Sequence, residues 1–273
     1  MPSPSFNTIT IGPLSIHLYG ILIAIGAFAA VSWAARRWEA GGGEPGAIQA
    51  VAVWALPGGL AGARLYHVAT DPELFRGRWL AAFAVWQGGL GIWGGVAGGV
   101  LAGALAARRR GFGLGPLLDA AAPAIPLAQA IGRWGNWFNQ ELFGRPTGLP
   151  WGLRIDPAHR PPGYEHVATF HPTFLYESLW DLAVVAIVLA VERRFRLRPG
   201  RLFAVYVVAY TFGRFFVELL RIDTSHRMLG LRLNDWTSIV VFIAGTLFLL
   251  RGDTRRPPTT TAAQSEADDP GTS

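Results

Sequence analysis

The stretch LSIHLYGILIAIGAFAAVSWAARR, Leu14 to Arg37, decides the fold. From Leu18 to Ala35 it carries no charged side chain, and Arg36 and Arg37 follow at once. An uncharged helix of this length, rising 1.5 Å per residue, crosses a hydrocarbon core about 30 Å thick. No positive residues precede the run, so it reads as a retained membrane span rather than a cleaved signal peptide.

Outward from there, further apolar stretches of similar length give seven expected spans, at about 14–35, 47–69, 82–107, 114–134, 173–192, 201–220 and 234–250. The expected fold is an all-α integral membrane protein of seven transmembrane helices, with an outward-facing segment between the fourth and fifth. Residues 1–251 read as one membrane domain. Residues 252–273, with Pro257, Pro258, Glu266, Asp268 and Asp269 and no apolar periodicity, read as a disordered tail. Composition agrees: 51% of the 273 residues are apolar and 15% charged, and several spans are rich in glycine, which lets helices approach closely in lipid.

Arginines follow alternate spans: Arg36 and Arg37, then Arg108, Arg109 and Arg110, then Arg193, Arg194, Arg196, Arg198 and Arg201, then Arg251, Arg255 and Arg256. The excess of positive charge marks the cytoplasmic side, which puts the N-terminus outside and the C-terminus inside. All 24 basic residues are arginine, and the net charge of +6 suits topology and anionic lipid better than nucleic acid. There is no cysteine, so any thiol chemistry uses a partner's sulfur.

Polar and charged residues inside such spans are expensive and therefore functional candidates. GRWGNWFNQELFG, Gly132 to Gly144, gathers Arg133, Asn136, Asn139, Gln140 and Glu141 where the fourth span leaves the membrane. A structural pairing of Arg133 with Glu141 alone would not call for two asparagines and a glutamine. GRFFVELLR, Gly213 to Arg221, sets Arg214, Glu218 and Arg221 along one helical face; one positive charge is left over, which suits an anionic ligand such as a phosphodiester. Weaker signals are His17 and Tyr19 in the first span, WQGGLGIWGG from Trp86 to Gly95 in the third, and HPTFLYES from His171 to Ser178 opening the fifth. Aromatic belts at the interface account for many such tyrosines and tryptophans.

Together these motifs resemble the prolipoprotein diacylglyceryl transferase family, in which a Gly-Arg, a Gly-Asn-aromatic, a second Asn and a Glu followed by Gly recur at this spacing. HLYG at His17 to Gly20, HPTFLYES and GRFFVELLR stand in the family's order, so the resemblance covers about residues 10–250. It implies transfer of sn-1,2-diacylglyceryl from phosphatidylglycerol to the lipobox cysteine of lipoprotein precursors in the bacterial cytoplasmic membrane, with a thioether formed and glycerol phosphate released. It implies that Tyr19, Arg133, Asn136, Glu141, Arg214 and Glu218 are catalytic, and that Asn139, Gly144 and His171 join the two arginines in binding substrate. No cofactor and no metal are indicated.

One departure stands out. Members of the family often carry His-Gly-Gly in the third span, where this chain has Trp93, Gly94 and Gly95. Tryptophan takes no proton, so the group accepting the thiol proton stays open among Glu218, Glu141, His17 and His171, or none is needed. The expected mechanism has Arg133 and Arg214 bind the lipid phosphate, with Glu218 and Glu141 orienting them, and Asn136 and Tyr19 holding the headgroup or ester oxygens. A lipid or anion transporter and a non-catalytic scaffold are the rival classes; the absence of inverted repeats argues against the first.

Overall fold

The structure, a computed structural model, describes residues 1–12, 14–85, 88–223 and 227–251. The expected tail 252–273, Arg255 and Arg256, and Trp86 and Gln87 of the third-span motif lie outside the described residues.

Among the described residues eight α-helices follow a short hairpin. Strands β1 (Thr8–Ile11) and β2 (Leu14–His17) pair antiparallel, and α1 (Leu18–Ala40) follows directly. Then come α2 (Ala47–Thr70), α3 (Ile92–Arg109), α4 (Leu114–Ala121), α5 (Ala124–Asn139), α6 (Thr173–Arg194), α7 (Arg201–Leu220) and α8 (Leu233–Leu250). Two small pairings fasten the connections: β3 (Leu153–Arg154) with β4 (Thr169–Phe170), and β5 (Arg227–Met228) with β6 (Leu231–Arg232). The helices form a row in which α3 packs on α2, α2 on α1, α1 on α5, α5 on α6, α6 on α7 and α7 on α8.

Among the described residues five helices, α1, α2, α6, α7 and α8, are long and apolar enough to cross a membrane, and the α4–α5 pair, bent by 44°, makes a sixth if taken as one broken span. The surface bears this out. Large apolar side chains such as Phe28, Val53, Leu65 and Leu101 face outward, whereas Ala34, Ala35, Ala107 and Ala124 are buried. Lipid solvates the first set, and small residues let the helices close on one another.

Several boundaries differ from the expected ones, each for a local reason. The first helix starts at Leu18 rather than 14, because Gly12, at φ 59°, turns the chain and Leu14–His17 is spent on the hairpin. The third starts at Ile92 rather than about 82. Gly88 and Gly89 hold φ of 81° and 70°, which no helix tolerates, and Trp79–Phe83 forms a 3-10 turn instead. The fourth expected span is two helices, broken at Pro123, whose ring removes a donor. Its second half runs on to Asn139, so Gly132 and Gly135 do not end it.

Glycine makes two of the interfaces. A Cβ built on Gly62 or Gly98 would collide with the backbone carbonyl of Gly94 or Gly58 across the α2–α3 contact. Along α1 and α5, a Cβ on Gly26 would stand 2.9 Å from the Ala128 carbonyl, one on Gly132 3.2 Å from Ile23, and one on Gly135 would strike the Tyr19 ring. That spacing locks α1 against the helix that carries Arg133.

Candidate active site

Helix α5 carries Arg133 inward, α6 carries Glu177 and α7 carries Arg214 and Glu218, and the four meet. Arg133 Nε lies 2.5 Å from Glu177 Oε2, and Arg214 Nη1 lies 3.0 Å from Glu177 Oε1. Arg214 Nη2 donates to Glu218 Oε2 at 2.7 Å, one helical turn along. Glu218, with no exposed surface, also meets Arg232 Nε at 2.8 Å and Arg221 Nη1 at 3.4 Å, and accepts from Asn234 at 3.1 Å. Arg221 and Arg232 in turn share Asp223, at 2.8 and 2.7 Å. Charges thus alternate along a buried line from α5 to the head of α8.

Burial alone would raise the Asp223 carboxyl; the hydrogen bond from Arg221 and the charges of Arg221 and Arg232 outweigh it and hold the group below its ordinary range. The arginines at this end are more enclosed than those at the other. Side-chain exposure is 5% for Arg232 and 6% for Arg221, but 15% for Arg214 and 19% for Arg133. Among the described residues neither terminal nitrogen of Arg133 makes a hydrogen bond, so it keeps donors for a ligand.

Beside Arg133 stands a second polar group. Asn136 and Asn139 both donate to Glu141 Oε1, at 2.9 and 3.1 Å. The Tyr19 ring rests on Gly135, its hydroxyl facing Asn136 within electrostatic reach of Arg133, Glu141 and Glu177. Gln140 adopts the left-handed conformation that ends α5, at φ 51°, and its amide ties Pro4 and Asp156 at 3.0 and 2.7 Å. Its work is to fasten the segment that follows.

Tyr19, Arg133, Asn136, Asn139 and Glu141 therefore come together, and Glu177 joins them to Arg214 and Glu218. The expectation that Glu141 orients an arginine needs correction. Glu141 is occupied by the two asparagines, and the carboxylate shared by Arg133 and Arg214 is Glu177. Gly144 and His171 sit at a crossing of backbones rather than in the arginine group. Gly144 N donates to the His171 carbonyl at 2.9 Å, a Cβ there would lie 3.1 Å from the Leu220 carbonyl, and Gly144 bridges to Arg221. His171 Nδ1 is 3.1 Å from the Tyr176 hydroxyl, and His17 is exposed on the hairpin. Trp93 lies in the first turn of α3, which packs along α2.

Sequence reasoning passed over Glu177, Asp181, Asp223, Arg232 and Asn234. Glu177 was in plain view within HPTFLYES; a carboxylate in the second turn of an apolar span was the signal.

The family profile described as prolipoprotein diacylglyceryl transferase matches residues 7–251, which includes every residue of this site. This chain belongs to the prolipoprotein diacylglyceryl transferase family. Among its relatives, a phosphatidylglycerol--prolipoprotein diacylglyceryl transferase 2 of Streptomyces coelicolor is 54% identical over 94% of this chain and 82% of its own length. The protein named phosphatidylglycerol--prolipoprotein diacylglyceryl transferase in Cutibacterium acnes is 51% identical over 92% of this chain and 86% of its own. One in Streptomyces avermitilis is 48% identical over the whole of this chain and 80% of its own. The family is one of transferases, and the apolar helices of this member fit a multi-pass bacterial membrane enzyme.

Proposed function

We propose that this protein transfers the sn-1,2-diacylglyceryl group of phosphatidylglycerol to the lipobox cysteine of lipoprotein precursors, the first step of their maturation. The observation that carries the reading is the pair Arg133 and Arg214, joined through Glu177 and the most open arginines of a largely buried ion network. Glu177 holds the two guanidinium groups side by side, and their remaining donors match a phosphodiester, which accepts paired N–H bonds well.

In the reaction the cysteine thiolate attacks the sn-3 carbon of the diacylglyceryl group. A sulfur–carbon bond forms, the carbon–oxygen bond to phosphorus breaks, and glycerol phosphate leaves with the bonding electrons. Negative charge gathers on the departing phosphate, and preorganised guanidinium groups stabilise it more in the transition state than in the bound lipid. The same positive field favours the thiolate, a free cysteine being ionised only above a pKa of about 8.5. Asn136, Asn139 and Tyr19 flank Arg133 and are suited to the headgroup hydroxyls or ester oxygens. Gly144 and His171 act by shaping the wall behind Glu218 and Arg221.

The site would face the outside of the cytoplasmic membrane. Counting the broken α4–α5 pair once and adding the glycine-rich α3 gives seven spans, which puts the N-terminus outside and the arginine-rich ends of α1, α3 and α6 in the cytoplasm. Contacts of the first residues with the end of α5 and the segment after it support this arrangement: the Ser3 hydroxyl donates to the Arg154 carbonyl at 2.5 Å and Trp137 to that of Pro2 at 3.1 Å.

The test is turnover. Full-length protein in detergent, given phosphatidylglycerol and a lipobox peptide, should release glycerol phosphate only when the peptide has its cysteine. Arg133→Ala and Arg214→Ala should each melt lower, because a buried carboxylate loses a partner, and in protein still folded at the assay temperature should lower release by at least about a hundredfold, the loss expected when a charge-stabilising donor is removed. Release without the cysteine, or undiminished release in both variants, overturns the reading.

A further inference from the structure

A second polar layer lies beneath the arginines. Gln129 precedes Arg133 by four residues on α5, Asp181 follows Glu177 by four on α6, and Tyr210 and Tyr206 precede Arg214 by four and eight on α7. On each helix these positions share the site's face, one or two turns deeper in the bundle. The Tyr206 hydroxyl donates to Gln129 Oε1 at 3.2 Å, and the Tyr206 and Tyr210 rings lie 5.9 Å apart.

Among the described residues Asp181 is the only carboxylate of this layer. It is 2% exposed, and its Oδ2 has no hydrogen-bond partner among the described residues. Buried carboxylates are normally fully partnered, so one left open beside a site needs a reason. A direct ion pair with Arg133 is not that reason, because Glu177 already takes that place at 2.5 Å, but Glu177 is one charge shared by two arginines. The charged and titratable groups around Asp181 are Arg133 from α5, Arg214, Tyr206 and Tyr210 from α7, and Glu177 on its own helix, with Tyr19 of α1 beyond Arg133.

We propose that Asp181 is a proton-coupled counter-charge for the lipid phosphodiester, ionised when the arginine site is empty and protonated when phosphate occupies it. This rests on the reading that Arg133 and Arg214 hold the phosphate. In the empty site the four arginines of the line, Arg133, Arg214, Arg221 and Arg232, pair with three carboxylates, Glu177, Glu218 and Asp223, which leaves one positive charge for the Asp181 carboxylate to balance. A phosphodiester drawn onto the same guanidinium groups places a like charge about one helical turn above, and in an interior of low dielectric the two anions do not coexist cheaply. The carboxylate takes a proton from solvent as the lipid binds and returns it when the site empties. By linkage, raising the pH favours ionised Asp181 and so weakens lipid binding. Asp181 is thus a positioning residue acting through the arginines.

The test uses full-length protein in detergent and short-chain phosphatidylglycerol. Calorimetric titrations in two buffers of different ionisation enthalpy count the protons taken up, and turnover against pH gives the KM for the lipid. Wild type should take up as much as about one proton per lipid, with a KM rising by up to about tenfold per pH unit above the titration of Asp181. Asp181→Asn should take up none and show a KM that no longer follows pH, whereas Asp181→Glu should keep the dependence. Zero proton uptake by wild type, or the same pH-dependent KM in wild type and Asp181→Asn, overturns the proposal, and the wild-type count decides alone if the asparagine variant fails to fold. Lipid binding that is intact in Arg133→Ala and Arg214→Ala would instead overturn the phosphate reading, so the two failures are distinguishable.

Discussion

Replacing Glu177 by glutamine would leave Arg133 and Arg214 without the carboxylate they share, although the side chain keeps its size. Breaking one partner of a buried ion pair costs about 3–5 kcal/mol, because the remaining charges stay buried without compensation. Glu177→Gln should therefore melt lower than wild type and lose on the order of a hundredfold in turnover through misplaced guanidinium groups. Glu141→Gln, which keeps an oxygen for Asn136 and Asn139, should melt close to wild type. Thermal melts of both variants beside their glycerol phosphate release check this, and equal effects would contradict the assignment of Glu177 as the shared partner. The residues the sequence made legible, Tyr19, Arg133, Asn136, Arg214 and Glu218, lie in dense motifs or at helical spacing. Glu177 did not stand out because its partners Arg133 and Arg214 lie on helices distant in the chain, and Asp223 and Arg232 because they meet in the connection between α7 and α8, outside any motif. Local spacing pairs Arg133 with the near acid Glu141; packing pairs it with Glu177 on the next helix.

Helix α5 is positioned by its glycines. Gly135→Ala would drive a methyl group into the Tyr19 ring, and the ring has α5 on one side and its own helix on the other. Overpacking of this kind costs about 1–3 kcal/mol. The variant should melt lower and lose activity beyond its loss of stability, since the same shift moves Arg133 against Tyr19; unchanged melting and activity would show that α1 does not brace the site. At this scale the sequence made the helices themselves legible, from unbroken apolar runs. Their ends were less so. The hairpin before α1, the late start of α3 and the break at Pro123 come from Gly12, Gly88, Gly89 and Pro123, short-range features that apolar content in a long window averages away.

Across the whole molecule, the arginine clusters at one end and the site at the other follow a single plan. Arg37 pairs with Glu192 at 2.7 Å at the far end of α1, beside a cavity of about 810 Å3 also lined by Trp38 and Asp119, while Tyr19 at the near end of the same helix meets Arg133. A second cavity of about 270 Å3 lies against Glu218, Arg221 and Arg232, with Arg145 and Tyr164 on its rim. Span number and orientation were read from composition alone, which registers apolar length and arginine placement but not the helix row that brings α1, α5, α6 and α7 around one point. The central claim is that this point holds the lipid phosphate, and a structure of the protein with bound phosphatidylglycerol tests it most directly. The phosphorus should be found within hydrogen-bonding reach of both the Arg133 and Arg214 guanidinium groups, above Glu177. A phosphate seated instead in the cavity beside Arg37, or against Arg221 and Arg232 with Arg133 left free, would contradict it.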